Sequence, residues 1–168
     1  MRGALAYVAL GANLGDRLGT LREAVRRIDA TRGLAVLRAS SVWETAAVGP
    51  PQPDYLNAVI EIDACKTPRA HLGRLHQVER ELGRVRDPEA RWGPRTIDLD
   101  LLWQGGLRLH GAVLELPHPR IAERSFVLAP LAELAPSLLV GARSIDAWLA
   151  SRPEAERASV RRIGPLLP

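Results

Sequence analysis

Strand, helix, strand, strand, helix, strand is the order in which hydrophobic periodicities run through the first two thirds of this sequence. It predicts an α+β fold: a ferredoxin-like βαββαβ core sheet with added strands and C-terminal helices. Three observations carry the prediction. Runs with period two mark strands, helical spacing of apolar residues marks two helices between them, and glycine and proline punctuate the joins. At 168 residues the chain fits one domain spanning 1–168, which buries roughly 70% of its unfolded surface.

Residues 4–10 form a short apolar run closed by Gly11, a buried first strand. Asp16 is placed to cap a helix whose apolar positions Leu18, Leu21, Val25 and Ile28 share one face, and Gly33 ends it. Residues 34–44, rich in Val, Ser and Trp, read as a second strand. Residues 46–54 hold three prolines and a glycine and form a loop. Residues 55–63 alternate, with Leu56, Ala58, Ile60 and Ile62 on one face and Tyr55, Asn57, Val59 and Glu61 on the other.

Thr67-Pro68 opens a second helix with Leu72, Leu75, Val78 and Leu82 inward, and Gly83 stops it. An arginine-rich, proline-punctuated loop covers 84–96. Residues 97–103 alternate again, and Gly105-Gly106 turns toward a short strand around Leu107–His110. Beyond Pro117 the pattern is one of short helical pieces, with a last helix at 144–151 capped by Ser144. The tail after Pro153 reads as weakly anchored.

Hydrophobic residues make up 46% and charged residues 25%, so a core can form without disulfides or a structural metal. The one cysteine, Cys65, cannot form an internal disulfide, which fits a reducing compartment; it reads as a small buried residue at a strand end. No stretch approaches the roughly 20 apolar residues of a membrane span, and the N-terminus lacks a signal-peptide pattern. A cytoplasmic location is expected. The net charge is +4, carried almost wholly by arginine. The single lysine, Lys66, has no glycine-rich approach, which excludes a Walker A loop; no protein-kinase motif set is present either. Phosphate chemistry would rest on arginine and metal.

Asp98 and Asp100 are the strongest signal. Two apart on a strand, they project from one face with Cα atoms about 6.5–7 Å apart, while Ile97, Leu99, Leu101 and Trp103 take the core side. Neighbouring carboxylates repel, and a protein keeps the pair cheaply when cations neutralise it. Two divalent ions about 3.5–4 Å apart suit such a pair and a polyphosphate. Feeding into the strand is a loop holding Arg84, Arg86, Arg91 and Arg95, whose guanidinium forks match phosphate oxygens. Trp92, one of seven aromatic residues, sits in that loop, where it can stack on a ring or cover a site.

The run Arg91-Trp92-Gly93-Pro94-Arg95-Thr96-Ile97-Asp98-Leu99-Asp100-Leu101-Leu102 resembles the signature of the hydroxymethyldihydropterin pyrophosphokinase family. Gly11-Ala12-Asn13-Leu14-Gly15, Gln52-Pro53-Asp54-Tyr55-Leu56-Asn57-Ala58, Gly83-Arg84-Val85-Arg86, Pro117-His118 and Arg124-Ser125-Phe126 match further family segments in order. Thr45-Ala46-Ala47-Val48-Gly49 resembles another, with alanines where the family has prolines. The resemblance covers about residues 5–140.

It implies transfer of pyrophosphate from ATP to 6-hydroxymethyl-7,8-dihydropterin, with release of AMP, in folate biosynthesis. By similarity, Asp98 and Asp100 hold two Mg²⁺ ions, and Arg84 and Arg95 act in catalysis. Glu79, Arg86, Arg91, Trp92, Leu101, His118 and Arg124 fall on the ATP side. Thr45, Ala46, Val48, Tyr55, Asn57 and Phe126 fall on the pterin side. The four histidines lack zinc-ligand spacing. A monomer with no nucleic-acid or membrane partner is expected. An RNA-binding module is the first rival, and Asp98 and Asp100 on the sheet face oppose it, since they repel phosphate without metal. A nucleotidyltransferase is the second, and it differs in which phosphorus is attacked.

Overall fold

In the computed structural model, which describes residues 3–47, 49–85 and 93–168, β1 (Ala4–Ala12) leads into α1 (Arg17–Asp29). The Asp16 carboxylate caps α1 by accepting from the Gly19 N–H at 2.9 Å. β2 (Leu34–Ala39), β3 (Ser41–Thr45), β4 (Tyr55–Ala64), α2 (Pro68–Glu81) and β5 (Asp98–Gln104) follow. The C-terminal part holds α3 (Ser125–Leu134), the two-residue strands β6 (Leu139–Val140) and β7 (Arg143–Ser144), α4 (Ile145–Ala150), α5 (Glu154–Ala158) and β8 (Arg161–Pro165).

Six strands form one antiparallel sheet in the order β5-β1-β4-β3-β8, with β2 paired along the other half of the β4 edge. Because successive strand residues point to opposite faces, the sheet has two cores. On one face Val8, Leu10, Ala58, Ile60, Ile62 and Leu99 pack with Leu21, Val25 and Ile28 of α1 and Leu75 and Val78 of α2. On the other, Tyr7, Val59 and Leu102 pack with Leu128, Leu131 and Leu134 of α3. The alternation expected for 55–63 is thus observed residue for residue. α3 lies over the half of its face near Tyr7, and the cleft described below opens at the β5 edge of the sheet, beside Asp98 and Asp100.

Several expectations are corrected. Residues 34–44 are two strands, because at Ser40 the side chain takes part in the ladder: Val59 N–H donates to Ser40 Oγ at 2.9 Å while Ser40 N–H donates to Val59 O. The strand expected around Leu107–His110 reduces to one bridge, Leu109 to Leu116. Trp103 does not share the face of Leu99 and Leu101. The β1–β5 register shifts between Tyr7 and Val8, which leaves Leu102 as an extra residue and swings Trp103 to the Tyr7 side, ring centroids 5.9 Å apart.

Leu72 is only half-buried, and His71 takes the inward position, its Nδ1 donating to Gln104 Oε1 at 3.0 Å while Nε2 accepts from Lys66 N–H. Cys65 is exposed rather than buried, since β4 ends at Ala64 and its side chain faces solvent. The chain after Pro153 is anchored: β8 pairs with β3, Leu166 is fully buried, and Arg22 Nε donates to Leu166 O at 2.8 Å. No helix among the described residues is long and apolar enough to cross a membrane.

Candidate active site

Three strands set the floor of the site. Asn57 on β4 lies opposite Gly11 on β1, which lies opposite Asp98 on β5; one step along the same face the row is Val59, Ala9, Asp100. Asp98 and Asp100 therefore do project from one face, beside two residues with almost no side chain. The low floor between the carboxylates and Asn57 is part of the design. A Cβ on Gly11 would stand 3.3 Å from Asn57 Oδ1 and 3.9 Å from the Tyr55 ring.

The end of α2 brings the first arginine. Gly83, at φ +83°, takes the left-handed conformation that an L side chain avoids. It lets Gly83 N–H bond Arg80 O and Arg84 N–H return to Glu79 O, both at 3.0 Å, a Schellman ending. That reversal delivers the Arg84 guanidinium to Glu79 and to Asp98, 2.5 Å from Asp98 Oδ1. Arg95 holds the other carboxylate oxygen, Oδ2, at 2.6 Å. Glu79 lies outside the apolar positions Leu72, Leu75, Val78 and Leu82 expected to face inward, yet it is 1% exposed. It sits behind Arg84 and accepts from the Leu99 N–H at 2.8 Å, tying α2 to the aspartate strand. Helical periodicity missed this because the acid faces inward only through partners on β5 and beyond the helix end.

The two carboxylates differ in environment. Burial works against the charge of Asp98, but Arg84 and Arg95 outweigh it and hold the group below the usual carboxylate range. Among the described residues Asp100 pairs with Arg124, at 3.8 Å. Burial, with the Asp98 charge added, pushes its pKa up to about 6. Burial and the charges of Arg124 and Arg120 lower the pKa of His118. Its Nδ1 accepts from the Arg120 N–H at 3.1 Å, so the neutral ring carries its proton on Nε2.

Arg84, Arg95, Asp98, Asp100, His118 and Arg124 line a cleft of about 480 Å³, with Leu72 and Leu101 among its apolar lining. A larger hollow of about 720 Å³, at the opposite end of the strands near Ala64, Cys65 and Lys66, has no carboxylate or arginine in its lining among the described residues. Around Asn57, the side-chain amide donates to Thr45 Oγ1 at 2.9 Å. Tyr55 OH lies 3.5 Å from Gly93 O, long for a hydrogen bond. Ala46 is exposed. Phe126 is half-buried with the Arg124 guanidinium 5.7 Å from its ring centre. Val48, Arg86, Arg91 and Trp92 lie outside the described residues.

Asn13 was given no role by sequence and proves central. It is 1% exposed. Its Nδ2 donates to Gln52 Oε1 at 2.8 Å and Pro53 O at 3.0 Å, and its Oδ1 accepts from Arg95 N–H at 2.7 Å. Asn13 N–H also donates to Arg95 O at 3.1 Å. One amide thus joins the end of β1, the loop before β4 and the residue that grips Asp98. The available signal was an amide between apolar residues at a glycine-flanked strand end.

The donor set fits a hard divalent cation. Burial and the Asp98 charge work against an ionised Asp100, and among the described residues Asp98 is held by Arg84 and Arg95. Among the described residues no group of three or more His, Cys, Asp or Glu side chains could hold a metal alone. Mg²⁺ commonly takes one or two carboxylates and fills its remaining positions with water and substrate phosphate.

The family model described as 7,8-dihydro-6-hydroxymethylpterin-pyrophosphokinase (HPPK) matches residues 7–136. The chain is 46% identical over 131 residues to the 2-amino-4-hydroxy-6-hydroxymethyldihydropteridine pyrophosphokinase of Bacillus subtilis, covering 77% of each chain. It is 43% identical over 131 residues to the protein of that name from Synechocystis, spanning 78% of this chain and 66% of the relative. Among solved structures, an HPPK-DHPS chain in complex with substrates superposes with a TM-score of 0.75 at 12% identity, covering 96% of this chain and 47% of that one. This chain therefore spans about half the length of that solved protein, and the likeness is one of fold.

Proposed function

The chain belongs to the 7,8-dihydro-6-hydroxymethylpterin-pyrophosphokinase family, and from that premise we propose that it moves the β,γ-pyrophosphoryl group of ATP to the hydroxyl of 6-hydroxymethyl-7,8-dihydropterin. The hydroxyl oxygen bonds to the β-phosphorus and gives up its proton to solvent, the bond from that phosphorus to the α,β-bridging oxygen breaks, and AMP leaves with that oxygen. The step belongs to folate biosynthesis. The observation that supports it best is the pairing of Asp98 and Asp100 on one sheet face, one row across a glycine floor from Asn57.

Asp98 and Asp100 would hold two Mg²⁺ ions, which when bound supply charge neutralisation on the triphosphate. Arg84 and Arg95, which meet at Asp98 beside the cleft, would offer their guanidinium forks to phosphate oxygens, where charge builds during transfer. His118 offers Nε2–H, and Arg124 its guanidinium, to the nucleotide phosphates. Leu101 gives the nucleotide an apolar contact. Glu79 acts from behind, fixing Arg84. Arg86, Arg91 and Trp92 complete an arginine-rich loop that closes over ATP and excludes water.

On the other side of the floor, Asn57 offers an amide donor and acceptor to the amide edge of the pterin, oriented by Thr45. Tyr55 and Phe126 flank the flat ring, with backbone groups of Ala46 and Val48 beside it. The order β5-β1-β4 followed by β2 and β3, with both crossover helices on one face, supports a ferredoxin-like core within one domain. We read the protein as a cytoplasmic monomer acting on these two small molecules, without nucleic-acid or membrane partners.

Phosphorus NMR of ATP, Mg²⁺ and the pterin alcohol tests the reading. AMP and a pterin diphosphate are the expected products, and ADP or free pyrophosphate would contradict it.

A further inference from the structure

We infer that Glu156 is a positioning residue for the site, holding Arg124 and Phe126 in place from the C-terminal segment; this rests on the pyrophosphokinase reading above. Glu156 lies on α5, beyond the residues 7–136 that the family model matches. Yet its Oε1 accepts from the Ser125 hydroxyl at 2.8 Å and from the Ser125 N–H at 3.3 Å. Ser125 is the first residue of α3 and is 1% exposed.

The first N–H groups of a helix need acceptors from outside it, usually from a Ser, Thr, Asp or Asn immediately before. α3 has none: its cap position is Arg124, whose side chain makes no capping hydrogen bond. That side chain is committed to the cleft, 3.8 Å from Asp100 and 5.7 Å from the Phe126 ring centre. A residue cannot both cap the helix and serve the cleft, so the acceptor comes from 31 residues later in the chain. Arg152 fixes the acceptor in turn, its Nη2 on Glu156 Oε2 at 2.7 Å and its Nε shared between both oxygens at 3.2 and 3.3 Å. Carboxylate charge at a helix N-terminus also complements the helix dipole. The result is a relay from Arg152 through Glu156 and Ser125 to two residues that flank the site on its nucleotide and pterin sides.

The test compares Glu156→Ala, Glu156→Gln and wild type, with KM and kcat measured well below the melting temperature and amide exchange followed at Ser125. Glu156→Ala raises the KM for both substrates by about fivefold, the scale of one lost helix cap, with a smaller change in kcat and faster exchange at Ser125. Glu156→Gln, which keeps the acceptor oxygen, restores most of the difference. In a Phe126→Ala background, Glu156→Ala adds nothing further to the pterin KM, because the residue it positions is gone. Unchanged KM values in an active Glu156→Ala enzyme would overturn the role. So would a loss explained wholly by a lower melting temperature, with normal KM in the folded fraction. An inactive wild type would instead remove the pyrophosphokinase reading and this role with it, and the Ser125 exchange data would tell that failure apart from the loss of the anchor.

Discussion

A few side chains set the behaviour of the site, and two of them give direct predictions. Asn13 satisfies donors and acceptors on three segments at once. Asn13→Ala leaves the Arg95 N–H and the Pro53 carbonyl to find new partners and lets Arg95 drift. Misplacement of a reacting group by about 1 Å can cost 10²-fold in rate, so kcat should fall by about 10- to 10²-fold in steady-state assays. Activity within twofold of wild type would show that Arg95 is held by something else. Asp100 gives a pH signature. Burial and Asp98 raise its pKa to about 6 in the folded chain, from an ordinary 3.8. A group raised on folding contributes stability at low pH that is lost as pH rises through the folded value. Thermal melts in EDTA should therefore show wild type losing stability relative to Asp100→Asn as pH climbs from about 4 to about 6, with parallel curves above. Parallel curves throughout would mean that Asp100 is not strained by its surroundings.

At the scale of elements, the end of α2 is the device that aims Arg84. Gly83 was legible as a helix stop, and the structure explains why it must be glycine: φ is +83°. Nothing lies within 4 Å of a Cβ built there, so Gly83→Ala meets a conformational cost of about 1 kcal/mol rather than a clash. Melting should drop by about 2–4 °C in a chain of this size, and an unchanged melting temperature would contradict the Schellman account. The aspartate strand was legible for the same local reason, since period two fixes Asp98 and Asp100 to one face whatever lies around them. The bulge at Leu102 was not. It depends on the register of β5 against β1, and Leu101-Leu102-Trp103 looks like ordinary strand from within. Ser40 is similar: its hydroxyl splits one expected strand in two through a bond to Val59, 19 residues away.

Across the whole molecule, contacts distant in sequence are what local reading lost. Glu79 and Asn13 look like surface and loop residues until β5 and the segment before it arrive. The apolar residues after Pro153 do not follow a period of two, so the pattern gave no sign that β8 would extend the sheet beside β3 or that Glu156 would reach the N-terminus of α3. The parts that were legible are those where one element supplies the chemistry; the rest come from pairs of elements meeting. Everything in the functional reading depends on the two carboxylates taking up magnesium together with a triphosphate. Titration calorimetry of a non-hydrolysable ATP analogue into wild type and Asp100→Asn, with Mg²⁺ and with EDTA, tests this most directly. Tight binding by wild type with Mg²⁺ alone, lost in EDTA and in the variant, is the result expected. Binding of equal strength in all of these conditions would show that the aspartate pair does not hold metal for the nucleotide.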